Sequence, residues 1–338
     1  MTNVQIFFDV LRNGVLYARL QPQDTPSVSM VSTAEIKMTL SGTFMMPNKP
    51  IHYLTDRIVP AVKVGNKSFT LGKYIITDAV EHDNGAVRLI DLNAYDLTYL
   101  VKRSKIETRL HLAAGTNYIT AIRAQLVECG ISDMLLTATT AVLTEDREDW
   151  EPGTDRLTII NELLAEINYR SLYADLSGNI CAVPVSTVSA EHITKQYRSG
   201  QYSVLYPEQQ TQIDYFDKPN VFIRIVDNAD KEAPMTAIAE NNDPQSPFSI
   251  GAVGQRIADV QKVNNIASQA ALQTLVNNLK ADSLLASNIT TFSTLATPHS
   301  VYEVVALDKA IYFETEWSIE LASPLKMTHK GKEVMRID

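Results

Sequence analysis

The sequence predicts an α+β fold in three parts. Residues 1–105 read as a β-barrel-like or sandwich domain, residues 106–188 as a small α+β domain, and residues 189–338 as a second β-containing region with a helical insertion at about 227–290. Three observations predict this. Apolar and polar residues alternate with period two between closely spaced turn residues through positions 6–105. Helical spacing replaces that period between Thr116 and Ile167. Short apolar or aromatic runs separated by charged turns return after Ser300.

In the first part Ile36-Lys-Met-Thr-Leu40 and Phe69-Thr-Leu-Gly-Lys-Tyr-Ile-Ile76 alternate, so each is expected to be strand. Gly65-Asn66 and Asn84-Gly85 are expected to close two-residue hairpins, because both centre positions of a type I′ turn need positive φ. The second of these joins strands over 74–82 and 86–92.

In the middle part Ile119, Ile122, Leu126 and Cys129 share a helix face, with Thr116 as N-cap and Gly130 as the left-handed residue past the end, which predicts a helix of about four turns. Leu157, Ile160, Leu164 and Ile167 make a second stripe behind Thr154 as cap. A hairpin follows, with Leu176-Ser-Gly178 between 171–175 and 179–183.

In the third part strands are expected at 201–205 and 220–226. Residues 227–255, rich in Asn, Asp, Glu, Ala and Pro, predict a long exposed loop. Residues 255–287 hold neither Gly nor Pro and predict a long helix, unbroken or broken near Ala281, packed on another protein element. Strands at 300–307, 310–314 and 317–321 close the chain. No fixed-period repeat is present, which disfavours solenoids and propellers.

Composition narrows the function. At 338 residues, with 45% hydrophobic and 20% charged, the chain can bury ordinary cores and is not of disordered type. Its 30 basic and 39 acidic residues leave a net charge of −9, which argues against holding nucleic acid by phosphate neutralisation. Cys129 and Cys181 share no metal-ligand spacing and cannot build a disulfide framework, so both are expected as buried or half-buried thiols in a protein assembled in reducing cytosol. No basic residue precedes the apolar stretch 4–11, and no run approaches the roughly 20 apolar residues of a spanning helix. Neither signal peptide nor membrane anchor is expected.

Chemical signatures are sparse. The acidic run Glu145-Asp146-Arg147-Glu148-Asp149-Trp150-Glu151 offers paired carboxylates beside a tryptophan, the basis of an alternative reading as a cell-wall hydrolase using Glu148 and Asp149. Consecutive acids ahead of Pro152-Gly153 more naturally form a solvated loop before a helix N-terminus, where negative charge is favourable. His52, His82, His111, His192, His299 and His329 lie far apart in sequence, outside any metal motif, and are expected to be isolated. There is no Gly-x-Ser-x-Gly elbow, and Cys129 sits at the wrong helix end for a reactive thiolate. Gly251-Ala-Val-Gly254 lacks the third glycine and the Lys-Ser/Thr pair of a phosphate loop and is expected as a helix lead-in. Tyr302, Tyr312, Phe313 and Trp317 are expected as core and cross-strand pairs; exposed, they would make a carbohydrate-binding or partner surface. No catalytic, cofactor-binding or metal-binding residue is assigned, and no enzyme activity.

The order of segments from Tyr99-Leu-Val-Lys-Arg103 through Leu112-Ala-Ala-Gly-Thr116, Trp150-Glu-Pro-Gly-Thr154, Ile159-Ile-Asn-Glu-Leu-Leu164 and Ile167-Asn-Tyr-Arg-Ser-Leu-Tyr-Ala-Asp175 to Gly178 resembles the baseplate hub proteins of contractile-tailed phages and phage-like particles. Trp317-Ser-Ile-Glu-Leu321 followed by Met327-Thr-His329 is similar to the closing strands of that group. The resemblance covers roughly residues 30–205 and 295–335, and 227–290 departs from it. These are scaffold motifs and not chemical signatures, and the resemblance implies a hub related to the T-even and Mu hubs and to the hub part of VgrG spikes.

The resemblance implies a homotrimer in which two barrel-like tube domains per chain give a pseudo-sixfold ring, adapting a sixfold tail tube to a threefold spike. It further implies contacts with the tail tube or a tube-initiator protein, the central spike protein, baseplate wedge proteins and the tape measure protein. The place implied is the virion tail baseplate, assembled in host cytoplasm. DNA passing through such a ring would meet an acidic protein, so lumen-facing residues are expected to be acidic or neutral.

Overall fold

A computed structural model describes residues 4–83, 85–147, 150–185, 188–201, 203–213, 218–226, 235–263, 266, 269–284 and 288–336. Strands dominate and helices are few, a mixed α+β fold. The first segment supplies β1 (Val4–Arg12), β2 (Val15–Pro22), β3 (Ser27–Val31), β4 (Met38–Met45), β5 (Arg57–Val64), β6 (Lys67–Thr70), β7 (Tyr74–Asp83) and β8 (Arg88–Asp96). Antiparallel pairings run from β1 to β2, β4, β8, β7 and β5, then back to β1, a closed circuit. Alternate side chains of these strands, among them Phe8, Val10, Met38, Leu40, Phe44 and Ile90, fill one core. Phe8 and Phe44 meet there edge to face, 5.0 Å between centroids.

Two details differ from expectation. The run 69–76 is not one strand: it breaks into β6 and β7 at Gly72, whose φ of +105° and approach to the Tyr74 ring leave no room for a side chain. Leu71 still points inward, and the Tyr74 hydroxyl donates to its carbonyl. Gly65-Asn66 does close a two-residue hairpin, with Val64 opposite Lys67. The β7–β8 hairpin instead pairs Asp83 with Arg88, leaving a four-residue loop, 84–87. The Asp83 carboxylate accepts from the Gly85 N–H, an Asx turn that competes with the tighter one. Asn84 itself lies outside the described residues.

The middle segment holds α1 (Thr98–Arg103), α2 (Tyr118–Glu128), β9 (Met134–Leu136), α3 (Arg156–Glu166), β10 (Tyr173–Ala174) and β11 (Ile180–Ala182). Both longer helices start one residue later than expected, capped by Asn117 and Asp155, whose side chains accept from the N–H groups of Thr120 and Thr158. Thr154 is spent on the preceding turn, donating to the Glu151 carbonyl. Gly130 takes positive φ past the end of α2, as its position implied, but the helix is 11 residues long rather than about four turns. Leu157, Ile160 and Leu164 are buried in a core shared with Ile122, Leu126 and Trp150. The expected hairpin is β10–β11.

The last segment contains β12 (Ile193–Tyr197), β13 (Leu205–Ile213), β14 (Val221–Val226), β15 (Met235–Glu240), α4 (Ile250–Val253), β16 (Ala258–Lys262), α5 (Gln269–Leu284), β17 (Asn288–Leu295), β18 (Val304–Leu307), β19 (Ala310–Glu320) and β20 (Lys326–Arg336). The strand expected at 201–205 begins where that run ends. The long exposed loop expected over 227–255 is replaced, in its described part, by β15 and α4; residues 227–234 lie outside the described set.

The long helix expected over 255–287 is also corrected, because its first part is β16, paired in parallel with β14. Pairing there overrides local helix propensity. Buried Asn220 holds the start of the strand, accepting from the Ile257 N–H and donating to the Gln255 carbonyl. Only α5 is helical, and its Leu272 and Val276 pack on β14 and β15. Gly251-Ala-Val-Gly254 is therefore no lead-in to a long helix: α4 is one turn, capped by Ser249 and ended by Gly254 at φ +70°.

The strands expected at 310–314 and 317–321 are one strand, β19, with register shifts at Ile311/Tyr312 and Glu314/Glu316. The order β12-β18-β19-β20-β17-β13 makes a second unit. Pairing of β19 with β3 fuses both units into one 14-stranded sheet.

Candidate functional site

Within β19 the shift after Glu314 changes which residues face inward. Tyr312 and Glu314 point into the core before it, and Trp317 and Ile319 after it, an odd spacing that only an extra residue permits. On β20 Met327, His329 and Gly331 face the same interior. Gly331 has to be glycine, since a Cβ there would lie 2.9 Å from that of Tyr312. The loop after β17 brings in His299.

Glu314 thus lies between two histidines, each 15 positions away in sequence. Oε2 is 2.5 Å from His299 Nε2 and Oε1 is 2.6 Å from His329 Nδ1, and none of the three side chains is more than 3% exposed. His299 Nδ1 donates to the Thr297 carbonyl at 2.7 Å, and His329 Nε2 lies 2.9 Å from Thr294 Oγ1. The imidazoles stack on each other with centroids 5.6 Å apart, and Phe292 stacks on His329. The expectation of isolated histidines is corrected for this pair. Strand pairing made the neighbourhood, and no spacing rule contains it.

The protons follow from the partners. A carbonyl only accepts, so His299 carries a proton on Nδ1; its Nε2 faces a carboxylate and carries another. Burial pushes the His299 pKa down, but the hydrogen bond and charge of Glu314 outweigh it and leave the group above the ordinary imidazole range. Burial likewise raises Glu314, and the two histidines bring it below its usual value. Burial, only partly offset by Glu314, leaves His329 below the usual imidazole value, so it is the neutral partner. Among the described residues, these three form the group of His, Cys, Asp and Glu side chains whose donor atoms converge tightly enough to hold a metal ion.

The other sequence candidates are placed apart from one another. His52, His82, His111 and His192 are exposed. Of the acidic run, Asp146 accepts from the Ala114 N–H and Glu151 pairs with Arg109. Glu148 and Asp149, the pair the hydrolase reading needs, lie outside the described residues. Trp150 donates instead to Glu162 on α3, and buried Arg147 pairs with Glu166 at 2.5 Å. Burial raises both thiols, Cys181 to about 11. Trp317 and Tyr312 are buried as core residues, and Tyr302 and Phe313 stack on each other half-buried, with the Arg170 guanidinium over both rings.

Surface features missed by the sequence reading are strand edges. β13 pairs only with β17 among the described strands, and its residues from Pro207 to Ile213 are exposed. β6 is exposed throughout and, among the described strands, pairs only with β5. Val15 and Leu16 stand out at the β1–β2 hairpin. An unpaired edge offers a row of backbone donors and acceptors that another chain can complete.

No protein-family model matches the chain, and no curated protein sequence does. Solved structures do match. The tail protein from Neisseria meningitidis MC58 aligns with a TM-score of 0.69 over 97% of this chain and 96% of its own, at 13% identity. The 43 kDa tail protein of prophage MuSo2 from Shewanella oneidensis gives 0.67 over 96% and 98%, at 10% identity. The E. coli c3393 protein, a type VI secretion component with structural similarity to T4 bacteriophage tail proteins gp27 and gp5, gives 0.57 over 97% and 79%, at 10% identity. At these identities the likeness is one of architecture, and the fold of this chain is that of phage tail proteins, as the hub resemblance implied.

Proposed function

We propose that this chain is a non-enzymatic structural hub in the baseplate of a phage tail or phage-like particle. One observation carries the reading: the chain holds two β units, the closed circuit of β1, β2, β4, β8, β7 and β5 and the six-strand unit from β12 to β13, joined through β3 and β19. Treated as two barrel-like tube domains over 1–105 and 189–338, with 106–188 between them, three copies place six β units around an axis. That number matches a sixfold tail tube above and a threefold spike below. Closed symmetry would also cover the exposed edges of β6 and β13.

The partners in this reading are two further copies of the chain, the tail tube or tube-initiator protein, the central spike protein and the surrounding wedge proteins. The tape measure protein reaches the same bore. The net charge of −9 suits a ring that DNA crosses without binding, with a bore lined by acidic or neutral residues. The particle is assembled in the host cytoplasm and carried in the virion. Light scattering of the purified protein, alone and with its tube and spike neighbours, is expected to give a trimeric mass, and negative-stain images a ring with a central hole. A chain that stays monomeric and ringless beside those neighbours overturns the proposal, as does a continuous Lys/Arg lining of the bore.

A further inference from the structure

We propose that His299, Glu314 and His329 form a buried binding site for one transition-metal ion, with zinc the ion that the donor set fits best. Two imidazole nitrogens and a carboxylate are the ligands of many three-residue zinc sites, whereas calcium and magnesium prefer oxygen donors throughout.

The geometry is close to what an ion needs. All the donor atoms lie within 4.8 Å of one another, and both histidines already turn a nitrogen toward Glu314. Metal–ligand bonds of about 2.0–2.2 Å in a tetrahedron put neighbouring donors about 3.3 Å apart, so the 2.5 and 2.6 Å contacts have to open by less than about 1 Å. Rotation of the side chains supplies that. Water or the second Glu314 oxygen completes the tetrahedron.

The groups behind the ligands are also those of a metal site. A ligating histidine normally donates its other ring N–H to a carbonyl, carboxylate or similar acceptor, which fixes the ring and presents the lone pair. His299 Nδ1 does so to the Thr297 carbonyl. His329 Nε2 faces Thr294 Oγ1, whose proton is donated to that nitrogen while the neutral ring carries its own proton on Nδ1, and which turns to the Leu295 carbonyl to accept once Nε2 is protonated. On binding, His299 gives up its Nε2 proton to solvent, and the His329 proton moves from Nδ1 to Nε2. The ion then replaces two bridging protons among aromatic walls, where an unaided buried imidazolium–carboxylate pair is costly.

Because the site is closed, the ion loads as the chain folds. The test is to refold the full-length chain from denaturant with chelator, with zinc or with cobalt, desalt it, and measure metal content, the visible cobalt spectrum and the melting temperature. The expected result is about one retained ion per folded chain, tetrahedral cobalt absorption and a higher melting temperature with zinc. His329→Phe and Glu314→Gln should abolish retention, while His82→Ala keeps it. Wild-type chain that refolds in zinc to the native circular dichroism and retains no ion overturns the proposal, without need of any variant. Retention that survives Glu314→Gln but falls with His82→Ala also overturns it. Neither outcome bears on the hub reading, which rests on assembly.

Discussion

Trp317 lies directly opposite Met30 where β19 pairs with β3, and both side chains are buried. That pairing is the seam between the N-terminal and C-terminal β units, so the packing of one tryptophan couples residues almost the whole chain apart. Trp317→Ala should cost about 3–5 kcal/mol, the usual range for emptying a buried aromatic site. Chemical denaturation followed by circular dichroism would read it, and Trp317→Phe should recover much of the loss. An alanine variant as stable as the parent would mean that the seam holds without its centre.

Asn220 joins β14 to β16 through two hydrogen bonds made by one buried amide. Asn220→Ala leaves the Ile257 N–H and the Gln255 carbonyl without that partner, at an expected cost of about 2 kcal/mol. The loss should be local. Hydrogen exchange is expected to rise in β14, β15, β16 and α5 while β1, β4 and β8 stay protected. Uniform exchange across the chain would contradict a separately held module.

Lys37 sits buried beneath the turn after β3, its ammonium donating to the carbonyls of Ser32 and Ala34. Burial pushes its pKa down to about 8, against 10.5 for an ordinary lysine, with Asp96 pulling weakly the other way. Between those values the unfolded chain binds more protons than the folded one, so this group adds stability as pH rises from about 8 toward 10.5. Denaturant midpoints taken across that window for the parent and Lys37→Met should diverge with increasing pH. Parallel curves would mean that the lysine titrates normally.

Asp56 behaves in the opposite sense. Its carboxylate receives two hydrogen bonds from Arg12 and one from the His52 N–H. The Arg12 hydrogen bond, opposed by burial, holds its pKa below the usual carboxylate value. A depressed carboxylate contributes stability that is present above its unfolded pKa and is lost as pH falls through the folded one. Acid unfolding of Asp56→Asn should therefore show a shallower loss below about pH 4 than the parent, from a lower starting stability. A variant with an unchanged acid limb would assign that limb to other carboxylates.

Much of the local structure was legible because its causes are local. The Gly65-Asn66 turn, the positive φ of Gly130 and the apolar stripe of α3 each depend on a few consecutive residues and on backbone sterics. Boundaries slipped by one residue where two capping side chains competed, as with Thr154 and Asp155. The misreading of β16 has another origin: Val260 and its neighbours suit a helix, and only the parallel edge of β14 makes them a strand.

The sequence by itself determined the α+β class, the Gly65-Asn66 turn, the hairpin over 171–183 and the two longer helices of the middle segment, and it carries no familiar catalytic motif. These depend on periodicity and turn chemistry, which act over a few bonds. Tertiary structure alone decided that β19 meets β3, that an extra residue after Glu314 turns both Glu314 and Trp317 inward, and that two histidines share one carboxylate. Those outcomes depend on strand register between distant segments, where a shift of a single residue exchanges the buried face for the exposed one.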